Sequence, residues 1–315
     1  MDTQQAEIIT VRPHQDNPVS VFLASLGSQT SRVSQLSALN VIARKLGGFD
    51  AYSFEWETLD HAKMTAIQAW LVQDYAPRTV RRYMSGVIGV LSEARHMHLI
   101  TADEFMDATD LKKIRGQTIA GRMLTMDEIR ALLATCQVGP RVRGLRDMAI
   151  ISLLVGCGLR RAEITTLKMN DYDLSERRLV VTGKGSKERY AYPQGGVLEA
   201  LNQWLKERGE RPGPIFPVLT MNDTVQWHSM SVMSVWTMLL HRQQAAGISH
   251  FTPHDLRRTF ISNLLDLPGV DMATASKLAG HSDPGTTAKY DRRSDRTAEH
   301  AAGLVEIPFK ARGKL

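Results

Sequence analysis

The segment LAGHSDPGTTAKYD sets a histidine and a tyrosine nine residues apart, His281 and Tyr290. A tyrosine hydroxyl has a reference pKa of about 10 and is a weak nucleophile at neutral pH. It can attack only an electrophile whose charge is already offset by neighbouring cations. Three upstream segments hold candidates: GLRRAE with Arg160 and Glu163, GKG with Lys184, and HDLR with His254 and Arg257. Each has an ordinary structural reading: Arg160 pairs with Glu163 on one helix face, Lys184 sits in a solvated turn, and the histidines cap or line loops. The set and its order argue for chemistry.

The elements that position these residues follow from local signals. Gly280 stands where a helix ending at Leu278 and Ala279 needs a left-handed cap, and Asp283 with Pro284 opens the next helix, so His281 falls in the connection and Tyr290 late on the new helix. Thr252, Pro253 and Asp255 start a helix that places His254 and Arg257 on one side. The segment from Arg146 to Cys157 reads as a buried helix, turning at Gly158 into a helix from Arg160 or Arg161. Residues 178–182 and 188–192 are two short strands joined by GKGSK, with Lys184 at the hairpin tip. Residues 197–205 and 230–246 read as amphipathic helices, and PGPIFPV as a loop.

Upstream the pattern is helical. Val33, Leu36, Leu39, Ile42 and Leu46 share one side of a helix that Gly47 and Gly48 stop, and Asp60 caps a helix bearing Met64, Ile67, Trp70 and Leu71. After Pro77 a long helix carries Val80, Tyr83, Met84, Val87, Ile88 and Leu91 inward. Its other side opens with Arg78, Arg81 and Arg82, a solvated face or a phosphate-contacting one. Between Met106 and Arg122 the period fades around Lys112, Lys113 and Arg115, which reads as a basic linker. Thr125 to Glu128 is a capping box that opens the second half. The expected organisation is a flexible arm at 1–16, a helical domain at 17–106, a basic linker at 107–121, a second domain at 122–290 and a tail at 291–315.

Composition narrows the class. The 315 residues, 43% of them hydrophobic, suit about two domains with real cores. No run approaches the roughly 18 apolar residues of a membrane span, and the N-terminus lacks a signal-peptide pattern. A cytoplasmic, nucleoid-associated protein without a membrane partner is expected. Cys136 and Cys157 are far apart and suggest neither a disulfide framework nor a zinc site. A net charge of +6 points weakly to a polyanion. No phosphate-binding G-x-x-x-x-G-K-[ST] loop, clustered carboxylates or H-E-x-x-H appears, so no cofactor and no metal are expected.

Taken together, these motifs resemble the tyrosine recombinases, the integrase family of site-specific DNA recombinases, over roughly residues 122–292. The first domain resembles that family's helical, SAM-like core-binding domain. The resemblance implies a mainly α fold with a small β-sheet. It also implies a catalytic set of Arg160, Lys184, His254, Arg257, His281 and Tyr290, with Glu163 in support. The two arginines and two histidines would hold the scissile phosphate, and His254 could also accept the tyrosine proton. Lys184 would protonate the leaving 5′ oxygen, and Tyr290 would become joined to the 3′ phosphate. The implied partner is double-stranded DNA at a specific core site. A homotetramer would bind it, alone or with a second recombinase or accessory protein, and the tail would couple protomers. Arg78, Arg81, Arg82, Lys112, Lys113 and Arg115 are the DNA-binding candidates.

The short N-terminal arm and the separation of 70 residues between Lys184 and His254 point within this resemblance to a Xer-like enzyme or a compact recombinase of a mobile element, acting at simple core sites. Two other readings share parts of the pattern. A type IB topoisomerase-like enzyme would relax any supercoiled plasmid without synapsis, and a non-catalytic DNA-binding regulator would form no phosphotyrosine adduct.

Overall fold

The computed structural model describes residues 16–116, 121–183, 188–281 and 284–288. The chain forms two compact units, Met1–Ala120 and Gly121–Leu315.

The first unit is helical: α1 Pro18–Ser25, α2 Gln29–Lys45, α3 His61–Asp74, α4 Pro77–His96 and α5 Ala102–Thr109. Asn17, Ser28 and Asp60 cap the first three through side-chain oxygens, while Pro77 opens α4 at a position that needs no N–H donor. The stripe expected on α4 is the inward one: Val80, Tyr83, Met84, Val87 and Leu91 are buried. On α2 the inward face is Ala38, Leu39, Ile42 and Ala43, whereas Val33 is 59% exposed, so the anticipated stripe is rotated at its N-terminal end. The fading period after Met106 conceals α5, which a Thr101–Glu104 capping box starts. Helix α5 runs into the stretch expected as linker, and Leu111 and Ile114 beyond it pack on this unit's core.

The second unit holds α6 Met126–Ala134, α7 Arg141–Gly156, α8 Arg161–Thr166, β1 Tyr172–Asp173, β2 Arg178–Thr182, β3 Glu188–Ala191, α9 Gly195–Arg208, β4 Pro217–Leu219, β5 Val225–Ser229, α10 Val232–Ala246, α11 Pro253–Leu265, α12 Met272–Ala279 and α13 Pro284–Ala288. The mainly helical architecture with small sheets is the expected one. Helix α7 starts earlier than its stripe suggested, at Arg141, and is buried along most of its length. The expected β2–β3 hairpin gains β1 as a third antiparallel strand. Part of PGPIFPV is strand rather than loop: β4 pairs with β5 across an irregularity at Pro217 and Val218, where a proline can enter a ladder. In the β2–β3 register Leu179 faces Ala191 and Val181 faces Arg189. Leu179, Val181 and Ala191 are buried, so Arg189 points to the core side of the sheet. Among the described residues, no helix is long and apolar enough to cross a membrane.

Candidate active site

Four of the chemically suited residues converge in the second unit, each held by a different local device. Arg160 is the N-cap of α8, placed by the turn at Gly158 (φ +62), where a side chain would strike Phe260. Glu163, three residues on, accepts the Arg160 backbone N–H at 2.7 Å and its Nη1 at 2.8 Å. The same guanidinium donates through Nη2 to the Gly280 carbonyl, 3.0 Å away. Arg160 keeps 42% of its side-chain surface exposed, while Glu163 keeps 4%.

Helix α11 supplies the next pair. Asp255 accepts from the Thr252 backbone N–H and hydroxyl, both at 2.8 Å, which fixes the first turn and with it His254. Gly121 lies against Asp255, with no room for a Cβ. Arg257, one turn on, is 1% exposed. Its Nη1 donates to the Gly158 carbonyl at 2.6 Å, and its Nη2 donates to the Ala279 carbonyl. One guanidinium thus ties the loop before Arg160 to the loop before His281. His254 is exposed beside it.

His281 follows Gly280, whose φ of +66 makes the left-handed cap expected of α12. Its Nδ1 lies 2.7 Å from the buried hydroxyl of Thr287 on α13. Burial, followed by the positive fields of Arg257, Arg160, His254 and Arg189, pushes the imidazole down to about 4, so the ring is neutral at pH 7. Two hollows meet at Arg160. One of about 470 Å³ is lined by Arg160, Trp236, His254 and Arg257. The other, about 700 Å³, is lined by Arg160, Glu163, Arg189, Tyr190, Tyr192 and His281. This arrangement offers planar guanidinium donors and two imidazoles to a small anionic group.

Comparison with known proteins places this geometry in a family. The sequence profile of the Phage integrase family matches residues 122–297, which span all of these side chains. The chain belongs to the phage integrase family, the tyrosine recombinases. Tyrosine recombinase XerD of Pseudomonas putida is 32% identical over 229 residues, 70% of this chain and 74% of that protein. Tyrosine recombinase XerC of Alcanivorax borkumensis is 29% identical over 244 residues, 75% of this chain and 76% of that protein. Among solved structures, the Tn1549 transposon integrase in complex with transposon right end DNA is 15% identical with a TM-score of 0.72, over 91% of this chain and 99% of that one. A lambda integrase dimer bound to a core site is 18% identical with a TM-score of 0.68, over 93% and 96%. The two structures show a shared fold.

In this recombinase the remaining site candidates are placed unevenly. Lys184 and Tyr290 lie outside the described residues, as do most of the arm at 1–16 and the tail at 291–315. Of the helical arginines, Arg78 is exposed, Arg81 donates to the Ile114 and Gly116 carbonyls at 3.2 and 2.8 Å, and Arg82 donates to the Ser34 hydroxyl at 2.6 Å. Lys112, Lys113 and Arg115 are exposed. Arg122, just beyond the basic stretch, is bound to the Glu128 carboxylate and to the Ser249 and His250 carbonyls. Both cysteines are buried, and burial pushes Cys136 up to about 11 and Cys157 up to about 12, in keeping with inert apolar thiols. One residue of the site escaped sequence reasoning. Arg189 donates to Glu163 Oε2 at 2.8 Å from the core side of β3. A charged residue opposite an inward valine in a short strand was the available signal.

Proposed function

We propose that this recombinase cuts and rejoins double-stranded DNA at a specific core site through a 3′-phosphotyrosine intermediate. The observation that carries this reading is the convergence of Arg160, Arg257, His254 and His281 within the region matched to the family. A phosphodiester repels nucleophiles by its charge, and fixed donors around the non-bridging oxygens offset that charge as it grows in the transition state. Arg160, anchored by Glu163 yet exposed, presents N–H donors to the phosphate. Arg257 lines the same hollow and holds the two loops in register. Neutral His281 shares a hydrogen bond between its Nδ1 and the Thr287 hydroxyl, and in the tautomer in which Thr287 donates, Nε2 carries the ring proton as a further donor. Tyr290 attacks phosphorus, its phenolic proton passing to His254. The P–O5′ bond breaks as Lys184 protonates the leaving oxygen. The 5′-hydroxyl of a partner duplex then attacks the phosphotyrosine, restoring the diester and freeing the tyrosine, so bond energy is conserved.

The assembly supported by this reading is a homotetramer on two core sites, with the 291–315 tail exchanged between protomers. Its role is that of a mobile element or of dimer resolution. The test is a plasmid carrying two copies of a site enriched from random DNA by binding to the protein. Recombinant circles or an inverted segment are expected only when both sites are present. Relaxation of a site-free supercoiled plasmid would instead make the activity topoisomerase-like.

A further inference from the structure

Glu163 is shared by two arginines, and the second has no role in the scheme above. Arg189 is nine-tenths buried, its side chain 10% exposed. Its Nη2 donates to Glu163, while its Nε and Nη1 are buried without a hydrogen-bond partner among the described residues. Burial is the main influence on its guanidinium and works against the charged form, with Glu163 holding the charge in place. A side chain at Gly280 would meet Arg189 Cδ and Nε at 2.4 Å, so this arginine lies directly against the turn that precedes His281. Such a group is costly to bury with two donors unmet, and a Met or Leu at this strand position would pack without that penalty.

Charge arithmetic supplies the reason to keep it. Arg160 and Glu163 alone form a neutral pair, which offers a phosphate little attraction. With Arg189 on the same carboxylate the cluster carries one net positive charge, and the exposed member is Arg160. We infer that Arg189 is a positioning residue: it neutralises Glu163 from inside the fold, leaving the Arg160 charge for the scissile phosphate while the carboxylate still orients the Arg160 guanidinium. This rests on the proposed reaction, deepening the reading of the same site.

The test compares single-turnover cleavage of a nicked suicide duplex, at saturating DNA, by wild type, Arg189→Met, Arg189→Lys and the double variant Arg189→Met/Glu163→Gln. As for side chains that orient metal ligands, a loss of about 10- to 100-fold is expected for Arg189→Met with DNA affinity nearly kept. Arg189→Lys, which retains the charge, should stay within about fivefold of wild type. Removing the carboxylate's charge in the double variant should recover about tenfold over Arg189→Met, a rescue that a packing role does not produce. Wild-type rates for Arg189→Met overturn the inference, as does an Arg189→Lys variant no faster than Arg189→Met. A double variant without rescue also overturns it, and if Arg189→Met fails to fold, an Arg189→Lys rate more than about fivefold below wild type overturns it instead. If wild type itself does not cleave, the proposed reaction fails, and the inference is read from the DNA-free protein by NMR titration of His281. Loss of the Arg189 charge should raise the His281 pKa, and an unchanged value counts against the cluster.

Discussion

Two carboxylates in the second unit each hold two arginines, and the contrast between them separates a brace from a site. Asp147 on α7 takes Arg146 through Nε and Nη2 on one oxygen, at 3.1 and 2.9 Å, and Arg242 of α10 on the other, at 3.0 and 2.8 Å. All three side chains are largely buried, and Arg242 also donates to the Thr135 carbonyl. This cluster pins α10 to α7. Around Glu163 the same one-to-two stoichiometry is asymmetric: Arg189 is inside and Arg160 keeps 42% of its side chain exposed, whereas Arg146 and Arg242, which also line a hollow, keep 8% and 14%. The same charges make a structural clamp when both cations are largely buried and, in the proposed reaction, a receptor when one remains exposed.

The largest effect that could break this comparison is on stability at the closed cluster. Asp147→Ala leaves two enclosed guanidiniums without their carboxylate and should cost about 3–5 kcal/mol, read as a lower urea midpoint at unchanged slope. The protein that remains folded should cleave normally. Next comes the open cluster, where Arg160→Ala should slow cleavage by about 100- to 1,000-fold with little change in midpoint. If Arg160→Ala unfolds the protein while Asp147→Ala spares it, the two clusters have been assigned the wrong way round.

A smaller effect sharpens the field around the open cluster. His281 is depressed to about 4 when folded, against about 6.5 for a free imidazole. Between these values the unfolded chain takes up a proton that the folded one refuses. Its stabilising contribution is therefore complete above pH 6.5 and fades as pH falls towards 4. His281→Gln should flatten that part of the stability–pH curve, as followed by thermal melts. An unchanged profile would mean that the ring is not held neutral. The smallest effect lies on the first unit. Arg78→Ala should lower the salt slope of DNA binding by about 0.9 if it meets a phosphate. Arg81→Ala should leave that slope alone, because its guanidinium is spent on the Ile114 and Gly116 carbonyls.

What could be read from the sequence depended on whether the signal was local. The α4 stripe, the Thr125 capping box and the Gly280 cap are set by residues a few positions apart, and each stands where expected. Helix α5 went unread because eight residues give too short a period to see, although its capping box was visible. The Arg160–Glu163 pair was legible as a three-residue spacing. Its third member was not, since Arg189 reaches Glu163 across 26 residues, through a strand register that pattern alone does not fix. The Arg257 contacts span 99 and 22 residues, so its motif was visible but its work of joining two loops was not. The Arg81 contacts were hidden for a related reason: its partners are the Ile114 and Gly116 backbone carbonyls, which no side-chain pattern announces.

The most direct test of the account is the covalent step itself. Wild type and Tyr290→Phe would each be incubated in EDTA with a suicide duplex bearing the selected site, and any adduct digested and mapped by mass spectrometry. A nucleotide joined through its 3′ phosphate to Tyr290 is expected in the wild type, and no adduct with Tyr290→Phe despite equal DNA binding. An adduct on another residue, or one that persists in Tyr290→Phe, would contradict it.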